Sequence, residues 1–136
     1  MQFRNFDLDD FEQVVDLWRK SGLIPSRSDT LEGMKEKLKR DPQLFFVLED
    51  ASQIIGVVMG SYDGRRGWIN HLAVAPEFQG KMIGQRIVEE LEERFMQVGC
   101  EKVNLLIELS NHNVQDFYEK QGYKRDDLIF MEKWLN

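Results

Sequence analysis

Between Leu44 and Val74 the apolar residues leave helical spacing and begin to run together or alternate, as they do in strands. That change of period constrains the fold more than any other feature. Residues 44–49 read as one strand and residues 54–62, rich in Ile and Val, as a second. Residues 68–74 read as a third. Residues 50–53 form a turn, and Asp63–Gly64 is a hairpin signal. Connections this short join antiparallel neighbours, so the block is expected to be a three-stranded meander.

The flanks keep a helical period. Met1–Phe6 alternates as a short strand. Asp9 or Asp10 then opens a helix whose stripe is Phe11, Val14, Val15 and Trp18, and Gly22 ends it. Asp29 with Glu32 three residues on has the form of a capping box. It starts a second helix through Leu31, Met34, Lys35 and Leu38, which stops before Asp41–Pro42. After the loop at 75–80 comes a strong helix. Ile83, Ile87, Leu91, Phe95 and Val98 face inward, Glu89, Glu90, Glu92 and Glu93 face outward, and Gly99 is the C-cap. Residues 102–109 read as a long strand. Ser110 or Asn111 caps a short helix with Val114, Phe117, Tyr118 and Gln121 on one side, and Gly122 ends it. Residues 123–134 supply one or two further strands. The expected fold class is therefore α/β. It has a mixed, mostly antiparallel twisted sheet of six to seven strands, with four helices distributed over both faces.

Composition removes several function classes. A chain of 136 residues suits one domain, expected to span 1–136. The single cysteine, Cys100, excludes an internal disulfide and a multi-cysteine metal site, and no metal is expected. It also suits a reducing, cytoplasmic setting. The net charge is −6 and no basic run exceeds Arg65–Arg66, which argues against nucleic acid as partner. No apolar run approaches the roughly 18 residues of a membrane helix, and the first residues have no signal-peptide pattern. A monomer or homodimer acting on a small partner fits these limits.

Chemistry is most legible from Leu72 to Gly84. A strand ends, a loop bearing Pro76 and Gly80 turns, and a helix begins. Free N–H groups and the positive dipole end of a helix attract anions. Gly80 and Gly84 let a ligand approach the backbone, and Lys81 and Arg86 add positive charge. This describes a phosphate or pyrophosphate site. The spacing is neither a P-loop nor a dinucleotide fingerprint.

The segment resembles the acetyl-CoA motif of the GCN5-related N-acetyltransferases. In that family a strand L-x-V is followed by roughly P-E-x-[QR]-x-x-G-x-[GA] and a helix. Here Leu72, Ala73 and Val74 give the strand, Pro76 and Glu77 the loop, Gln79 the Gln/Arg position and Gly84 the last small position. Met82 stands where the family has its first glycine. If that position is left-handed, Met costs on the order of 1–2 kcal/mol there. A second segment, Asn111 through Val114, Phe117, Tyr118, Gly122 and Tyr123, is similar to the family's N-x-x-[AV]-x-x-[LF]-Y-x-x-x-G-[FY]. Within the family the chain looks most like the small bacterial YpeA-like acetyltransferases, through Tyr62-Asp63-Gly64 and Arg66-Gly67.

The resemblance implies acetyl transfer from acetyl-CoA to a primary amine by direct attack. It implies that backbone groups of Leu72, Ala73 and Val74 hold the pantetheine arm. The amides of Gln79, Gly80, Lys81, Met82, Ile83 and Gly84 would cradle the pyrophosphate, with Asn111 near the cofactor. Tyr118 would contact the cofactor and act as general acid towards the sulfur, a phenol of pKa near 10 being matched to such a thiolate. The base stays open among Glu108, at the end of its strand, His71, Asn70 and Asp63. Strand alternation lets only one of Asn70 and His71 face a cleft. The acceptor is expected to be a small molecule. A protein N-terminal or lysine acetyltransferase, and a non-catalytic CoA-binding module, are the rival readings. Acceptor specificity is expected from residues 23–30, the hairpin and the C-terminal segment.

Overall fold

Helices in this chain start where a short polar side chain can accept from an otherwise orphaned backbone N–H. A computed structural model describes residues 1–136. The Asp7 carboxylate accepts from the Asp9 amide at 2.9 Å and the Asp10 carboxylate from the Asp7 amide at 2.9 Å. This capping box closes a 3₁₀ turn at Leu8–Asp10, which runs into α1, Phe11–Lys20. Thr30 Oγ1 accepts from Gly33 N at 3.0 Å and starts α2, Leu31–Arg40. Thr30, not Asp29, is thus the cap. The Asp29 carboxylate is engaged with Ser26 N and His71 instead. The third helix, α3, Ile83–Gln97, has no side-chain cap. Asn111 caps α4, His112–Glu119, accepting from Val114 N at 3.4 Å.

Five strands form one mixed sheet in the order β1-β2-β3-β4-β5. They are β1, Gln2–Asn5; β2, Phe45–Asp50; β3, Gln53–Tyr62; β4, Gly67–Val74; and β5, Val103–Leu105. β1 to β4 are antiparallel neighbours, as the meander required, and β5 runs parallel to β4. The Asp63 carboxylate fixes the β3–β4 turn by accepting from the Arg65 and Arg66 amides at 2.8 and 2.7 Å. Those bonds hold its pKa below the usual carboxylate value.

β3 is buried without interruption from Ile54 to Gly60, so both of its faces are covered. α1 and α3 both pack on β3 and β4. Glycines clear the way for α3. A Cβ on Gly56 would lie 2.5 Å from Ile87 Cδ1, and one on Gly60 would lie 2.8 Å from Leu91 Cδ1. One on Gly67 would lie 2.7 Å from Phe95 Cε1. Ile83, Ile87, Val88, Leu91 and Phe95 fill that interface, whereas Val98 is 39% exposed and not part of the inward stripe.

Six or seven strands were expected and five are present. β5 covers only three of residues 102–109, and residues 123–134 hold no strand. The chain divides into two compact units, Met1–Leu106 and Ile107–Asn136. Within the second unit no strand exists to pair with, and β-propensity without a ladder partner does not make a strand. Leu128, Ile129, Met131 and Leu135 are each at least 80% exposed there.

Candidate active site

β4 changes character midway along its length. Against it, β3 advances two residues from Met59 to Val57, while β4 advances three, from Asn70 to Ala73. One extra residue is therefore inserted in β4, a β-bulge. Within it His71 takes a left-handed backbone, φ 51°. The bulge breaks the strict alternation on which Asn70 and His71 were expected to diverge. Asn70 is exposed and His71 half-buried.

The bulge also ends the β4–β5 ladder. Pairing runs Gly67 to Val103, Trp68 to Asn104 and Ile69 to Leu105, and stops there. Beyond that point Ala73 and Val74 pair with β3 on one side, Leu72 lies in the bulge, and none of the three meets a strand on the other side. An open edge offers N–H and C=O groups to an extended ligand. Two side chains tie its end: Gln79 Nε2 and Ser21 Oγ each donate to Val74 O at 3.1 Å.

The loop after β4 passes through a 3₁₀ turn at Pro76–Phe78 and then bends twice with positive φ. Gly80 has φ 78° and Met82 φ 63°. Met82 is the N-cap residue of α3, with no side-chain cap bond and no acid in the first turn of the helix. The first N–H groups of α3 are thus left without a side-chain acceptor, and successive amides around left-handed residues form an anion-binding concavity. Gln79, Gly80, Lys81 and Met82 are exposed, and a Cβ on Gly80 would meet nothing within 4 Å. Ile83 faces the core and offers only its backbone, and Gly84 is half-buried. Lys81 lies over the Phe78 ring at 5.4 Å, and Arg86 lies over Phe3 at 5.9 Å. The loop accordingly carries one cation, Lys81, beside uncapped amides, and Arg86 adds a second on the first turn of α3. These features fit a ligand with an amide-bearing arm and a diphosphate.

In the second unit Tyr118 is buried and packs edge-on against Phe117 and Tyr123, at 4.9 and 5.4 Å between ring centroids. Burial pushes the Tyr118 phenol well above the value near 10 expected from sequence. Asn111 is exposed and spends its side-chain oxygen on the cap of α4. Glu108 is exposed and lies past the end of β5 rather than on a strand; its carbonyl accepts from Asn111 N at 2.9 Å. Cys100 is buried, its Sγ donating to Lys102 O at 3.3 Å.

Sequence reading did not find Asp29 as a partner of His71. His71 Nε2 and Asp29 Oδ2 are 2.9 Å apart, and the Asp29 side chain is only 7% exposed. Trp18, fully buried in α1, stands edge-on to the His71 ring at 4.9 Å and donates its indole N–H to His71 O at 3.3 Å. The only available signal was the pairing of an αL-tolerant residue with a polar loop, which periodicity does not reveal.

The comparisons agree with this geometry. The chain matches the acetyltransferase (GNAT) family over residues 11–123. An acetyltransferase of Sodalis glossinidius is 37% identical over 131 residues, covering 96% of this chain and 92% of that relative. One from Pectobacterium atrosepticum is 38% identical over 135 residues, covering 99% and 96%. Among solved structures, the PaiA N-acetyltransferase of Thermoplasma acidophilum in complex with coenzyme A superposes with a TM-score of 0.84. It is 20% identical and the match covers 94% of this chain and 92% of that one. Five strands with an opened β4 and an uncapped following helix are the fold of an N-acetyltransferase. The chain belongs to the GNAT family and is an acetyl-CoA-dependent acyltransferase.

Proposed function

We propose that the protein transfers the acetyl group of acetyl-CoA to a primary amine of a small molecule by direct attack, and that residues 1–136 act as one acetyltransferase domain. The observation that carries the cofactor part is the run from the open edge of β4 into the double left-handed loop and the uncapped α3. The family match spans both units, which supports a single domain. Neighbours by fold include a glucosamine-6-phosphate N-acetyltransferase from Arabidopsis thaliana and a Chaetomium thermophilum Naa20 bound to a bisubstrate analogue. A small-molecule amine acceptor therefore occurs on this fold.

When bound, acetyl-CoA supplies the acyl group as an activated thioester. Leu72, Ala73 and Val74 offer backbone groups to the pantetheine amides. The amides of Gly80 to Gly84, with Lys81 and Arg86, hold the diphosphate charge. Asn111 keeps α4 capped beside Tyr118. Tyr118 holds its proton throughout the neutral range and is the donor assigned to the departing sulfur. Glu108, one of the four candidate bases, is exposed and lies beyond β5.

The test is thermal unfolding with acetyl-CoA, followed by thiol release with putrescine, glycinamide, glucosamine and a short peptide. Acetyl-CoA at about 100 times its Kd should add about 2.7 kcal/mol of stability. An unchanged Tm at millimolar acetyl-CoA would overturn the cofactor assignment. Turnover of the peptide alone would move the acceptor to protein.

A further inference from the structure

We propose that His71, oriented by Asp29, is the general base that takes the proton from the acceptor amine. The inference rests on the acetyltransferase reading above and deepens it.

Three observations converge on His71. First, it sits in the bulge directly before Leu72, where β4 loses its partner, so it is next in chain to the open edge. Second, it holds φ 51°, a conformation that non-glycine residues adopt only where the surroundings enforce it, and the bulge re-aims its side chain. Third, its ring is fixed on two sides. Trp18 stands edge-on to the ring, and Asp29 Oδ2 holds Nε2 at 2.9 Å. The carboxylate is 7% exposed while the imidazole is 28% exposed. The buried end of the ring is thus the Asp29 end, and Nδ1 is the nitrogen left to accept a proton.

A carboxylate on one imidazole nitrogen fixes the tautomer and stabilises the imidazolium formed when the other nitrogen is protonated. Nε2 carries the proton in the neutral ring and donates it to Asp29. In the reaction the amine nitrogen forms the C–N bond as the C–S bond breaks. The surplus proton on nitrogen passes to His71 Nδ1. The sulfur leaves with the bonding pair and takes a proton from the acid. The Asp29 loop also belongs to residues 23–30, the segment expected to meet the acceptor. On the Asp29 side, Glu12, Asp16 and Arg19 of α1 share with Asp29 the wall of a surface cavity of about 350 Å³.

The test uses the full chain and the best acceptor among putrescine, glycinamide and glucosamine. Asn tolerates left-handed φ, so His71→Asn keeps the bulge and removes the base. We expect kcat/KM to fall by about 100-fold or more and its pH profile to change shape. The Tm shift produced by acetyl-CoA should be unchanged. His71→Gly should regain activity with added imidazole, which a structural role would not produce. Asp29→Asn should lower kcat more than it changes KM. Imidazole NMR of the wild type should show the neutral ring protonated at Nε2. A His71→Asn enzyme within about 2-fold of wild type with the same pH profile overturns the proposal, as does a ring protonated at Nδ1. No turnover with any amine by a wild type that still binds acetyl-CoA refutes the small-amine reading beneath it. No binding at all refutes the cofactor reading.

Discussion

Met82→Gly is a direct test of the α3 entry. Met82 holds φ 63° and ψ 18°, where its Cβ crowds the following carbonyl at a cost of about 1–2 kcal/mol. Its side chain is 66% exposed, so little packing is lost on removal. Glycine removes the strain but gives the unfolded chain more freedom, which offsets about 0.4–1 kcal/mol. The net expectation is a gain of about 0.5–1 kcal/mol. For a domain of this size that raises Tm by about 2–4 °C. Urea unfolding should show a higher midpoint at unchanged slope. Met82→Ala is the control, because it removes the thioether and keeps the Cβ; it should be near neutral. The reasoning is refuted if Met82→Gly is destabilised, or if Ala stabilises as much as Gly. Acetyl-CoA binding should be retained or tightened in the glycine variant, since the loop amides are untouched.

Other outcomes follow from the core and its charges. Gly60→Ala forces a Cβ to 2.8 Å from Leu91 Cδ1 and 3.1 Å from Leu44 O, and should cost about 1–3 kcal/mol by urea unfolding. Lys37→Met strips Asp41 of its 2.7 Å partner; with Asp41 only 6% exposed, the expected loss is about 3 kcal/mol. Burial lowers the Lys37 pKa below 10.5 despite the Asp41 bond. Between its folded value and 10.5 the unfolded chain binds more protons, so this group's contribution to stability rises with pH across that window. Lys37→Met should abolish that rise. Burial works to raise the Asp10 pKa, but the Arg4 bonds at 2.7 and 2.9 Å and the Asp7 amide outweigh it and hold it below 3.8. That stability is present above pH 3.8 and is lost as pH falls through the lower, folded value. Asp10→Asn should flatten the acid limb of a Tm–pH curve. Thr30→Ala removes the α2 cap and should cost about 1 kcal/mol.

Local rules read most of the first unit correctly because its elements are set by local chemistry. The Asp63 turn, the glycine ends at Gly22 and Gly99, and the Ile- and Val-rich run of β3 each depend on a few neighbouring residues. The left-handed conformation at Met82 was legible through the glycine it replaces. Misreadings arose where a distant partner decides. Asp29 and Thr30 are both good cap residues, and Asp29 spends its carboxylate on Ser26 N and the distant His71 ring rather than on the helix. The short β5 follows from a bulge, and a bulge is a property of register between two strands, invisible in either alone. Residues 123–134 have the composition of strands but no ladder in their own unit.

The opened stretch of β4 is also a hazard. Backbone groups left bare for a ligand would equally welcome any stray extended chain, and that is how sheets come to aggregate. This protein keeps the stretch without a strand partner to Leu72, Ala73 and Val74, and covers the Val74 carbonyl with Ser21 and Gln79. On one side the His71 kink throws an incoming strand out of register, and two residues beyond Val74 stands Pro76, which has no N–H to offer. An opening three residues long is enough for the amides of one slender arm and too short to hold a second sheet. The same geometry that admits the ligand therefore leaves little edge on which a second strand could pair.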